Sequence, residues 1–182
     1  MLADGKAMNI DHTQSVVHIE APQDKEIARL GVELNKTYIV YGAKGVEGGQ
    51  RQIAQDANAS NTSIAAAQQR AVAKANAFYR NDAWDLCDAC KAGKVDLAKI
   101  KAEDLPKNMR IMTLKERKAY VEKMQQQRVT LQKRINDVNA ERVKFVAAKS
   151  KELAEQRGQD TLDQALIGAI RVQATAKNYS FE

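Results

Sequence analysis

Three sets of residues in this chain have types and spacings that could do chemistry. Cys87-Asp88-Ala89-Cys90 is a Cys-x-x-Cys, the spacing of dithiol redox centres and of half a zinc site. Redox chemistry needs the first thiol at a helix start, where the dipole lowers its pKa, whereas Trp84 and Leu86 place the pair late in an expected helix. Zinc needs a second Cys or His pair, and both histidines, His12 and His18, lie far upstream. The thiol pair Cys87 and Cys90 therefore reads first as packing, with redox chemistry or a local disulfide as the other readings. Asp11-His12-Thr13-Gln14-Ser15 matches an Asp-x-Thr-x-Ser metal-adhesion string, but Lys6–Ile10 is too short and polar to be the buried strand that motif requires. His12 and His18 with Asp11 and Glu20 read as solvent-facing. No catalytic, cofactor-binding or metal residue is assigned, and the chain is expected to be no enzyme.

The third set is basic. The net charge is +6, yet residues 94–158 hold 17 of the 29 Lys and Arg against 9 of the 23 Asp and Glu. Such a segment can be a footprint for nucleic acid, or the solvated face of a long helix. Interleaved acids and the lack of stacking aromatics favour the solvated face and count against nucleic acid. Lys118, Arg128, Lys133, Arg134, Arg142 and Lys144 are the candidate interaction surface.

The elements that must position these residues are helical. The chain has 182 residues, with 29 Ala and 15 Gln but only 9 Gly and 2 Pro, a composition of long helices. No apolar run is long enough to cross a membrane. The N-terminus MLADGKAMNID lacks the basic and apolar regions of a signal peptide. Pro22 with Asp24 and Glu26 opens a helix carrying Ile27, Leu30 and Leu34, stopped at Asn35. Thr37–Tyr41 reads as a strand buried on both faces, which calls for neighbouring strands, with Ser15–Glu20 the one nearby candidate. Gly45, Gly48 and Gly49 break the chain within residues 43–61, read as a hinge. Thr62 or Ser63 caps an Ala-rich helix to Gly93, bent near Asn81. Thr113 and Glu116 form a capping box opening a helix over about 114–157, whose Val121, Met124, Leu131, Ile135, Val138 and Phe145 make a heptad-like seam interrupted by Arg128 and Arg142. A last helix is capped by Thr161 and Gln164, and Tyr179 and Phe181 are expected to dock after it.

The expected fold is mainly α: an elongated helical hairpin or three-helix bundle with a small N-terminal α/β remnant of one helix and one or two strands. Its divisions are residues 1–42, the hinge 43–61, and a helical extension 62–182 in which the Ala-rich helix folds back antiparallel on the long one.

The run from Glu26 to Gly42 resembles the last helix and strand of a von Willebrand factor type A domain. Ala21–Asp24, Arg51-Gln52 through Ala54–Asn58, Tyr79–Asn81 with Ala83–Leu86, and Glu116–Glu122 extend the resemblance to bacterial proteins of this family whose type A domain is followed by a helical extension. The resemblance implies a C-terminal fragment, exported from a bacterial cell, whose partner is another protein or the preceding part of its own type A domain. The family's Asp-x-Ser-x-Ser metal site would precede residue 1, so no metal residue carries over. Function is accordingly expected to be a non-enzymatic interaction or structural module, with a basic helical nucleic-acid binder using residues 94–158 as the alternative.

Overall fold

The computed structural model describes residues 19–157 and 162–179. Among them lie seven α-helices, α1 (Gln23–Asn35), α2 (Gly45–Thr62), α3 (Ile64–Ala75), α4 (Leu86–Lys91), α5 (Lys107–Arg110), α6 (Leu114–Arg157) and α7 (Leu162–Thr175), and one 3-10 turn at Ala102–Asp104. The fold is mainly α. Contacts divide the described residues into two units, residues 20–143 and the rest from residue 144 on.

Within residues 20–143 two apolar clusters form. In the first, Ile27, Leu30 and Leu34 of α1 meet Ala71 and Ala75 of α3 and Ile135 and Val138 of α6. Small side chains allow the closest approach in this group: a Cβ added at Gly31 would lie 2.7 Å from that of Ala71. In the second cluster Leu86 and Cys87 of α4, Met109 of α5, and Val121 and Met124 of α6 surround Ile39, Leu97 and Leu105. The α6 seam is buried at Val121, Met124, Ile135 and Val138, and it is covered by this chain's own elements. Phe145, further along, is exposed. The capping box is present: the Thr113 N–H donates to Glu116 Oε2 (2.7 Å) and the Glu116 N–H to Thr113 Oγ1 (3.3 Å).

Three expectations are corrected. Thr37–Tyr41 is not a strand of a sheet; Val40 makes an isolated antiparallel bridge with Asp85, flanked by Tyr41 N–H to the Trp84 carbonyl (3.0 Å) and Leu86 N–H to the Ile39 carbonyl (2.8 Å). The run thus pairs inside the chain, with Trp84–Leu86. Of Ser15–Glu20, only the last two residues are described, and no strand forms among the described residues. The expected hinge is helix α2: Gly45, Gly48 and Gly49 are buried, and their bare backbone seats Trp84 and Val40. Glycine costs a helix about 1 kcal/mol each, a loss that the packing of an indole against the backbone offsets. The boundaries at 42 and 61 accordingly fall inside one unit. Finally, the Ala-rich helix is two helices. Ser63 caps α3, its side chain accepting from the Ala66 N–H (3.0 Å), and α3 ends at Ala75. A new helix, α4, begins at Leu86.

The remaining unit contains the end of α6 and α7, with Leu166, Ile167, Ile170 and Val172 each about half exposed. Tyr179, expected to dock, is 68% exposed. Phe181, Thr161 and the Gln164 side chain lie outside the described residues, as do Asp11–His18.

Adding a methyl at Gly31 should cost about 1–2 kcal/mol through overpacking against Ala71. Gly168, in α7 with nothing near its Cβ position, serves as the contrast: Gly168→Ala should be neutral or stabilising by up to about 1 kcal/mol. Urea unfolding of both variants checks this, and an equal effect at the two glycines contradicts the packing described.

Candidate functional site

Extending the α6 seam by alternate steps of three and four from Val121 and Met124 reaches Arg128, Leu131, Ile135, Val138 and Arg142. The two arginines are thus not interruptions but seam residues, Arg128 buried and Arg142 half-buried, each against a buried acid. Arg128 is 6% exposed. Its Nη1 donates to Asp85 Oδ2 (2.7 Å) and Asp88 Oδ1 (2.9 Å), its Nη2 to the Thr37 carbonyl (2.7 Å) and Asp85 Oδ1 (3.2 Å), and its Nε to Thr37 Oγ1 (3.1 Å). The guanidinium also lies over the Tyr38 ring, 4.2 Å from its centroid. Burial opposes the charge on Arg128, but the bonds and charge of Asp85 outweigh it and hold the guanidinium above its ordinary value. At Asp88 burial wins: it raises the pKa, against the Asn81 N–H and Arg128.

Asp85 is the partner that positions this centre. It is fully buried and caps α4 by accepting from the Asp88 N–H (3.0 Å), while its other oxygen accepts from the Ile39 N–H (2.8 Å). One carboxylate therefore ties α4, the Thr37–Tyr41 segment and α6 together. At the other end of the seam Arg142 pairs with Asp24, which is 1% exposed and also accepts from the Ala21 N–H (3.0 Å). Between them Arg134 meets Glu26 at the surface (2.7 Å). These pairs set α1 antiparallel to α6.

A second polar centre joins α1, α2 and α3. Lys74 is 2% exposed and donates to Asp56 and to Asn35 Oδ1 (2.7 Å). Asp56 also accepts from Arg70 Nε (2.9 Å) and Asn35 Nδ2 (2.6 Å), and Arg70 reaches the Tyr79 hydroxyl (3.1 Å). Burial holds the Lys74 amine below its ordinary pKa despite Asp56; for Asp56, burial is outweighed by Lys74, Asn35 and Arg70, and the carboxyl is held low.

The predicted basic surface is dispersed by this arrangement. Arg128 and Arg142 are withdrawn into pairs, Arg134 bonds Glu26, and Lys133 bonds Asp137 on its own helix (2.6 Å). Lys118 and Lys144 are exposed, the first on residues 20–143 and the second in the other unit. Cys87 and Cys90 are free thiols, and their placement is a correction: Asp85 caps α4, so Cys87 is the second and Cys90 the fifth residue of a short helix rather than late in a long one. The helix start does not activate them. Burial, then the charge of Asp85, pushes the Cys87 thiol up to about 12, and burial raises Cys90 as well. Among the described residues no group of three His, Cys, Asp or Glu could hold a metal ion.

Sequence reasoning missed Thr37, Asp56, Lys74 and Asp85, and used Asp24 only as a dipole charge. Asp85 carried a readable signal, since Asp-x-x-Asp before a short apolar run is a helix-start pattern. No family model, curated protein or solved structure matches the chain.

Because the folded state keeps Cys87 protonated, ionisation above about pH 9 favours the unfolded chain, in which the thiol titrates at its ordinary value. Iodoacetamide at pH 8 should therefore leave Cys87 unmodified in the native chain and label it readily in urea, with Cys90 intermediate. Native labelling of Cys87 at the rate of a small free thiol contradicts its burial.

Proposed function

We propose that this chain is a non-enzymatic helical module that serves interaction or structure rather than chemistry. The observation that supports the reading is the fate of its reactive groups. Arg128, Lys74, Asp85 and Asp56 each spend their bonding capacity on one another and on the backbone, and Cys87 is packed in an apolar cluster. Charged groups used this way hold helices in register; they have little left for a substrate. The resemblance of Glu26–Gly42 to the last helix and strand of a von Willebrand factor type A domain, and of the rest to a helical extension, supports reading the module as the C-terminal part of such a bacterial protein, with a protein partner or the preceding part of that domain as what it meets, in an extracytoplasmic setting.

The alternative, a nucleic-acid binder using residues 94–158, keeps a narrower basis, because Arg128, Lys133, Arg134 and Arg142 of its candidate surface are committed to internal pairs. The readings separate in a titration of the full chain against a duplex oligonucleotide at low salt. The module reading predicts no binding beyond weak association with a shallow salt dependence. Tight binding with log K falling by about 0.9 per phosphate neutralised, over many phosphates, would overturn it. The family link is tested by the genomic sequence upstream of Met1, where an in-frame Asp-x-Ser-x-Ser after an apolar strand is expected and its absence dismisses the link.

A further inference from the structure

The turn between α5 and α6 displays an apolar side chain where its packing requires none. Met109 is fully buried and Met112 packs against the same cluster, so the turn is anchored on both sides. Between these anchors Ile111 is 90% exposed, and Leu114, one turn on, is 40% exposed. The turn is held by arginines bonded to backbone: Arg117 Nε donates to the Met109 carbonyl (3.1 Å) and Nη2 to that of Arg110 (3.2 Å), while Arg110 Nε donates to the Leu105 carbonyl (2.9 Å). Ile111 is thus presented by a built structure.

The charge on its own stretch is mainly positive. Residues 107–118 contain five Lys and Arg and one acid, Glu116. That acid is turned back into the capping box with Thr113, whose hydrogen bonds hold its carboxyl below the ordinary value. Just before it, Glu103 pairs with Lys101 (3.5 Å) and Asp104 is half-buried. Lys107, Lys115 and Lys118 are exposed and make no ion pair among the described residues. Unlike the arginines of the seam, these cations are unspent.

We infer that this turn docks on an anionic lipid surface, with Ile111 entering the interfacial layer and Lys107, Lys115 and Lys118 meeting the headgroup charge. A bilayer accepts a single apolar side chain without a complementary pocket, and polybasic segments add affinity charge by charge. A nucleic acid would use the same lysines but offers nothing to Ile111, and the segment has no aromatic side chain on which a base could stack. A protein partner would need a far larger patch than two apolar residues. No described helix is long and apolar enough to cross a membrane, so the contact is peripheral.

The test is sedimentation of the full chain with vesicles of one part phosphatidylglycerol to two parts phosphatidylcholine, beside phosphatidylcholine alone and a duplex oligonucleotide. Binding to the mixed vesicles and not to the neutral ones is expected, weakening with salt. Lys107→Gln with Lys115→Gln should lower the affinity about twenty-five-fold, at about five-fold for each charge near the surface. Ile111→Ser should lower vesicle binding about ten-fold and leave any oligonucleotide binding unchanged, while Ile111→Trp strengthens vesicle binding. All of these positions are exposed, so thermal unfolding should be unaltered. Failure to bind mixed vesicles, or vesicle binding indifferent to both Ile111 variants, overturns the inference; the second result would make the turn a general polyanion surface. Neither outcome touches the module reading, which stands or falls on the oligonucleotide titration at residues 94–158 as a whole.

Discussion

The fold of residues 20–143 depends on burying a positive charge in an apolar seam. Arg128 stands on α6 between Met124, which belongs to one cluster, and Leu131 and Ile135, which belong to the other. A guanidinium removed from water costs several kcal/mol unless its donors are met. Here both Asp85 oxygens, Asp88 and two oxygens of Thr37 meet them. Those acceptors come from α4 and from the segment after α1, so the charge can be satisfied only when both elements have arrived in one register along α6. Apolar contacts alone would tolerate a slip by a heptad; the arginine does not.

Several local features follow from this constraint. Asp85 must sit at a helix start with its carboxylate turned inward, which accounts for the break between α3 and α4. The Thr37–Tyr41 segment must lie extended beside Asp85, and it does so with an isolated bridge rather than a sheet. Trp84, next to Asp85, then needs space, which the glycines of α2 supply. At the far end of the seam Arg142 and Asp24 repeat the device for the start of α1. Cys87 is enclosed by the same assembly, its Sγ near the Thr37 and Val121 carbonyls.

Much of this architecture could be read from residue order. The α1 positions Ile27, Leu30 and Leu34, the capping box at Thr113 and Glu116, and the span of α6 all follow from local periodicity and capping chemistry. What could not be read is what long-range packing decides. Gly45, Gly48 and Gly49 are helix breakers by propensity, and only the arrival of Trp84 and Val40 makes them helical. The β-branched run at Thr37–Tyr41 looks like a doubly buried strand because burial, not pairing, selects such residues. Arg128 and Arg142 look like flaws in a heptad until their acids are located, and those acids are 43 and 118 residues away in sequence. The basic surface was overcounted for the same reason, since a local pattern cannot distinguish an arginine in water from one paired across the fold.

The most direct test of this account is a double-mutant cycle on Arg128 and Asp85, read by urea unfolding. Arg128→Met leaves Asp85 as an uncompensated buried charge and should cost about 3–5 kcal/mol. Asp85→Asn should be similarly costly alone. If the charge sets the register, the double variant is destabilised by much less than the sum, with a coupling of at least about 1.5 kcal/mol. Additive losses, with coupling near zero, would show that the seam holds its register without the charge and would contradict the central claim.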